Sequence, residues 1–169
     1  MSPDKPAFDV PIPALLRAAR GAYARSIRER LQAIGIYDLP RHGAYIVGGL
    51  ERSVHAGQLL REIGLRESIT TRLIESLRDR GFVQPGQGPA KYGVADLELT
   101  PKGYAAAEAT MDGIVDVNEE LETLLSADEL SALKKGLIAL TEIKERLEAH
   151  HDHDHEHGHD HEHRQDSVN

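Results

Sequence analysis

Eight of the ten histidines stand in one short run near the C-terminal end, His150-His151-Asp152-His153-Asp154-His155-Glu156-His157-Gly158-His159-Asp160-His161-Glu162-His163. Neutral imidazoles at that density chelate zinc, nickel or copper, and the interleaved carboxylates offset the charge of a bound ion. His150, His151, His153, His155, His157, His159, His161 and His163 are therefore the candidate metal ligands. The same composition also describes a solvating low-complexity tail that takes up metal without biological purpose. An affinity tag fits poorly, because acids alternate with the histidines and the chain runs on through residues 164–169. His155-Glu156-His157-Gly158-His159 matches the His-Glu-x-x-His of metalloproteases in letters only. That chemistry needs a stable helix with both histidines on one face and the Glu as base. A tract expected to be disordered, with Gly158 inside it, offers neither helix nor cleft.

Little else in the chain points to catalysis. The absence of Cys excludes disulfides, thiolate zinc sites, iron–sulfur clusters and cysteine redox chemistry. Gly86-Gln87-Gly88 lacks the Gly-Lys-Ser/Thr of a phosphate loop and reads as a hairpin tip. His42 and His55 are isolated and fit helix ends or the surface. No Ser–His–acid set or carboxylate pair stands out, so no enzyme is expected and the body of the chain requires no cofactor.

A second set of residues suits a different chemistry. In the helical stretch after Gly64-Leu65, the apolar side is taken by Leu73, Ile74 and Leu77, which leaves Ser68, Thr71 and Arg72 outward. Arg reads guanine edges or pairs with phosphate, and hydroxyls reach either. The plain alternative is a solvated face with a Glu75–Asp79 and Arg72–Arg78 ionic pattern. Lys91 and Tyr92, near the tip of the following hairpin, could touch DNA backbone or belong to a polar loop.

Charge is consistent with such a face despite a net charge of −8. Residues 1–41 carry seven Lys/Arg against four Asp/Glu, and residues 42–104 carry eight against seven. Residues 105–149 carry four against eleven, so the acid is concentrated C-terminally. The local field near a contact matters more than the sum. The first residues lack the basic-then-apolar pattern of a signal peptide, and no apolar run approaches the ~20 residues of a membrane span. A soluble, cytoplasmic protein with no membrane association is expected.

The elements that must position these residues can be read from periodicity and punctuation. Residues 1–11 are Pro-rich and read as an extended arm. Leu15, Leu16, Ala19, Tyr23, Ile27, Leu31 and Ile34 recur at helical spacing until Gly35. Pro40 reads as the first position of a second helix, running to Leu50. A short helix over 56–63 and a longer one stopped by Gly81 follow. Phe82-Val83-Gln84 and Ala95–Leu99 read as strands around the loop Pro85–Pro89. Thr100-Pro101 opens another helix to Leu125. Ser126 and Glu129 then form a capping box, before an apolar stripe of Leu130, Leu133, Leu137, Leu140, Ile143 and Leu147. Residues 150–169 are expected to be disordered.

This order is mostly α with a small β-hairpin: a winged helix-turn-helix with flanking helices, the DNA-binding lobe at about 40–100 within a domain of 12–149. The flanking stripes are longer than so small a core can cover. A second copy of the chain is the simplest partner, held by Leu15, Leu16, Ile27, Leu133, Leu137, Leu140 and Leu147.

Residues 64–83, GLRESITTRLIESLRDRGFV, resemble the recognition helix and the start of the wing in the MarR (multiple antibiotic resistance) regulators. Leu99-Thr100-Pro101-Lys102-Gly103 is similar to that family's Leu-Thr-x-x-Gly. The resemblance covers about residues 12–149. It implies a homodimer with two recognition helices on a pseudopalindromic operator, and often a small effector between the dimer and DNA lobes. DNA contacts would fall on Arg66, Ser68, Thr70, Thr71 and Arg72, with Lys91 and Tyr92 from the wing. The family's Ser-Arg is replaced here by Arg66-Glu67, its Thr by Ile69, and its wing Asp-x-Arg by residues around Lys91-Tyr92-Gly93. The expected function is double-stranded DNA binding tuned by a small aromatic or fatty effector, or by metal at the tail. The alternatives are a metal-storage or metal-handling protein and a winged helix used for protein contacts alone.

Overall fold

The computed structural model describes residues 10–156, with the side chains of Glu67 and of 148–156 outside the description. Eight elements follow in order: α1 Ile12–Ala33, α2 Gly43–Glu51, α3 Ala56–Ile63, α4 Glu67–Asp79, β1 Val83–Pro85, β2 Leu97–Leu99, α5 Pro101–Leu124 and α6 Ala127–Glu156. They form two compact units, residues 1–120 and 121–169.

In the first unit, α1 and α4 end by the same device. At α1, Ile36 N–H donates to the Leu31 carbonyl at 2.9 Å and Gly35 N–H to the Gln32 carbonyl at 3.0 Å. At α4, Phe82 and Gly81 repeat the pattern on Leu77 and Arg78, each at 2.9 Å. Gly35 at φ 79° and Gly81 at φ 74° supply the left-handed residue this closure requires. The residue after each glycine folds back onto the helix, so Ile36 buries with Leu31 and Phe82 with Leu77. The helix ends that the glycines announce are thus also where chain reversal builds the core.

That core joins Ile46 and Val47 of α2, Leu59 and Leu60 of α3, Leu73 and Leu77 of α4, Leu97 and Leu99 of β2, and Ala106, Ala107 and Ala109 of α5. β1 and β2 pair antiparallel, Val83 with Leu99 and Pro85 with Leu97. Thr100 caps α5 as expected, its Oγ1 accepting from Gly103 N–H at 3.0 Å while its hydroxyl donates to the Gly81 carbonyl. The helix cap therefore also fastens the end of α4.

Two expectations about element bounds are corrected here. α2 begins at Gly43, not Pro40, because Pro40–Gly43 close a turn at 2.8 Å with His42 left-handed at φ 68°. Ile27 is half-buried against the core, and α1 and α5 cross there. A Cβ on Gly113 of α5 would lie 2.7 Å from the backbone of Ile27, so only glycine lets the two helices approach this closely. Beside the crossing, Asp116 accepts from Arg30 and Ser26, and Tyr23 donates to Asn118 at 2.8 Å. β1 is shifted by one residue from the expected 82–84, to Val83–Pro85, and β2 is shorter than expected, beginning at Leu97.

In the second unit, the capping box is present: Ser126 N–H donates to Glu129 Oε2 at 2.9 Å and Glu129 N–H to Ser126 Oγ at 3.4 Å. The helix it starts does not end near Ala149 but runs to Glu156. His150, His151, His153 and His155 therefore lie on helical backbone, where disorder is expected from composition. His157, His159, His161 and His163 lie outside the described residues, as do most of the N-terminal arm and 164–169. Leu133, Leu137, Leu140 and Ile143 are each 39–43% exposed, and Leu147 is 68% exposed. On α1, Leu15 and Leu16 are also exposed.

Candidate nucleic-acid interface

α3, the break at Gly64 (φ 68°) and α4 form the helix-turn-helix, and residues 83–99 form the wing. Leu73 and Leu77 bury one side of α4, with Thr70 and Ile74 half-buried beside them. At 100° per residue the opposite side carries Ser68, Thr71, Arg72, Glu75 and Asp79, all exposed. Arg66 stands exposed at the N-cap position. Among the described residues, Arg72 and Arg78 make no ion pair, so the Arg72–Arg78 ionic pattern is not formed.

The helix also shows what sequence reasoning passed over. Ile69 is 47% exposed on the shoulder next to Arg72. Thr70, by contrast, lines a cleft of about 480 Å³ between α3, α4 and the wing, together with Thr71, Arg61, Arg78 and Tyr92. Arg61 belongs to α3 and bears on the wing, a pairing no local pattern announces.

The hairpin tip is not at Gly86-Gln87-Gly88. Lys91 and Val94 exchange hydrogen bonds at 3.0 and 3.1 Å across Tyr92 and Gly93, whose φ values are 54° and 72°. Positive φ at both central residues is the mark of a type I′ turn, whose twist matches the flanking strands. Gly86 and Gly88 lie below the tip, where Gly88 N–H donates to Asp96 Oδ2 at 2.7 Å. A left-handed Tyr92 costs about 1–2 kcal/mol relative to ordinary backbone. The Arg61 guanidinium lies 4.5 Å over its ring, a cation–π contact that offsets part of that cost. Lys91 and Tyr92 are both exposed at the tip.

His55 is not a surface residue. As N-cap of α3, its Nδ1 accepts from Gly57 N–H at 3.0 Å, so the neutral ring carries its proton on Nε2. That Nε2 is buried without a hydrogen-bond partner, 3.7 Å from Asp96 Oδ1. Among the described residues no three His, Asp or Glu side chains are grouped to hold a metal.

A second cavity of about 680 Å³ lies between α1, α2 and α5 of the first unit. Arg20, Arg28, Arg41 and Arg52 line it with Tyr23, Tyr37 and Tyr45 over an apolar floor that includes Leu31, Ile36 and Met111, and among the described residues no Asp or Glu lines it. Burial, then Arg41 and Arg20, hold His42 below the usual imidazole range. Burial pushes the Tyr45 phenol up to about 12, helped by its hydrogen bond to Glu62.

The architecture can be set beside solved structures. Ligand-free NadR superposes at TM-score 0.64 with 21% identity, over 82% of this chain and 99% of its own. MarR family transcription regulator SP03579 gives TM-score 0.62 and 21% identity, over 82% of this chain and 88% of its own. The chain has the fold of the MarR regulators. MepR of S. aureus, solved with DNA, shares that MarR-type fold at TM-score 0.60 and 14% identity, over 79% and 98% of the two chains. No family model and no curated protein matches the sequence. Identities this low establish the MarR fold and leave the site residues to be argued from this chain's own geometry. No described helix is long and apolar enough to cross a membrane.

Proposed function

We propose that this chain is a DNA-binding transcriptional regulator, not an enzyme, acting as a homodimer on a pseudopalindromic operator. The observation that carries the reading is the outer face of α4. It presents Ser68, Thr71 and Arg72 on one exposed side, with Arg72 in no ion pair among the described residues, next to a wing that lifts Lys91 and Tyr92 to its tip. Side chains on such a helix reach base edges in the major groove, and the wing reaches neighbouring backbone. Among the solved structures that share the fold, SP03579 is a MarR family transcription regulator and MepR was solved in complex with DNA.

The dimer rests on the exposed apolar stripes of α1 and α6, which a second copy would cover. The arginine- and tyrosine-lined cavity suits a small aromatic anion: guanidinium groups neutralise the charge and the apolar floor takes the ring. NadR, of the same fold, has been solved with 4-hydroxyphenylacetate. An effector seated there would bias the spacing of the two recognition helices, which must match one DNA turn. Metal at the tail is a second effector route, favoured by its eight histidines.

Selection of sites from randomised duplex DNA tests the reading. The chain should enrich a two-fold symmetric site and bind it at least about 10³-fold more tightly than unrelated duplex. Affinity absent even at low salt would exclude regulation through DNA and favour the metal-handling or protein-contact alternative.

A further inference from the structure

We propose that α3 grips the wing through His55, Gly57 and Arg61, and that this grip fixes where Lys91 and Tyr92 meet DNA. The second half rests on the DNA-binding reading above; the first does not. The three residues meet the wing at three separate points. A Cβ on Gly57 would overlap the Lys91 carbonyl oxygen, so only glycine lets the hairpin backbone settle on the first turn of α3. One turn further along the same helix, Arg61 covers the ring of Tyr92 at the tip. At the start of the helix, the His55 Nε2–H lies buried and faces Asp96 Oδ1 at 3.7 Å, within a small closure of a direct hydrogen bond. Asp96 in turn holds Gly88 through its other oxygen, so the arm of the wing below the tip moves with it.

A metal ion between His55 and Asp96 is excluded by the cap. With Nδ1 accepting from Gly57, the neutral ring has its proton, not a lone pair, on Nε2. The left-handed Tyr92 fits the same picture, since a strained tip residue persists where surrounding contacts determine it. Because Leu59 and Leu60 of α3 share a core with Leu73 and Leu77 of α4, the grip couples wing position to the recognition helix. A wing without the family's usual Asp-x-Arg is thereby held from below, and its tip is presented in one place.

His55→Asn separates capping from grip. Asn retains an oxygen that accepts from Gly57 N–H and is a preferred N-cap residue, but it is too short to reach Asp96. The full chain should keep its unfolding midpoint, while amide exchange over residues 86–96 quickens about tenfold. Arg61→Gln should quicken exchange at the tip about threefold, the scale of one exposed cation–π contact. Gly57→Ala should do both, and the other two variants decide if it fails to fold. On a selected operator, Lys91→Ala should cost about threefold in the parent and almost nothing in the His55→Asn background, since a misplaced lysine has no contact to lose. Unchanged wing exchange in both His55→Asn and Arg61→Gln overturns the grip. Looser wings with an undiminished Lys91→Ala effect overturn its role in placing the DNA contact. A parent that binds no DNA overturns the regulator reading and that second half together, while exchange in the free protein decides the first alone.

Discussion

Replacing Leu140 with Asp should break the proposed dimer while leaving the folded chain intact. Leu140 is 39% exposed in the single chain, on the same stripe of α6 as Leu133 and Leu137. Completing the burial of such a side chain is worth about 1 kcal/mol, a fraction of the ~1.5–3 kcal/mol for full burial of Leu. The carboxylate matters more, because burying it without a partner costs several kcal/mol. A two-fold interface counts each loss twice. The sum exceeds about 5 kcal/mol, and at 1.4 kcal/mol per decade the dimer should weaken by more than about 10³-fold. In the monomer the new carboxylate reaches water, so helical content should be unchanged. Sedimentation velocity over a range of concentrations, with circular dichroism alongside, reads both. Lys135→Glu, on the opposite side of α6 at 100° per residue, serves as a control that should leave association unaffected. A Leu140→Asp chain that sediments as the parent dimer would show that α6 does not carry the interface. A parent that remains monomeric at all concentrations would refute the dimer itself.

Arg72→Ala should weaken a selected operator by roughly 1–3 kcal/mol, and unrelated duplex by less, if the guanidinium reads a base edge. Equal losses on both duplexes would make Arg72 a phosphate contact. For His42, burial lowers the folded pKa below the unfolded value of about 6.5, so the unfolded chain binds the proton more strongly. Its contribution is present above about pH 6.5 and declines as pH falls from there toward the folded pKa. Denaturant unfolding at pH 7.5 and 5.5 should therefore show a smaller acid loss in His42→Asn than in the parent, and matching losses would sink this account. Truncation after Ala149 should abolish most zinc and nickel uptake measured by calorimetry, uptake that in the full chain fades as pH falls through about 6.5. Metal-dependent DNA binding that survives the truncation would place a sensor in the body instead.

What the sequence by itself determined here is what acts over one turn of chain. Ser126 with Glu129, Thr100 before Pro101, and the glycines at 35 and 81 announce helix ends through hydrogen bonds to neighbours three to five residues away. The element order, and with it the winged helix, followed from those signals and from helical periodicity. Periodicity says that a side of a helix is apolar, but not what covers it. Ile27 and Leu15 stand on one stripe of α1, yet the first packs against the core and the second stays 44% exposed among the described residues. Tertiary structure also overruled two strong local signals. Pro40 closes a turn to Gly43, beside the Leu39 side chain, and the glycine-rich loop yields the tip to Tyr92-Gly93, across which Lys91 and Val94 pair. His55 shows the limit most plainly. Its letter and spacing suit an ordinary helix end, and only the approach of Asp96, 41 positions away in the chain, turns its second nitrogen toward the wing.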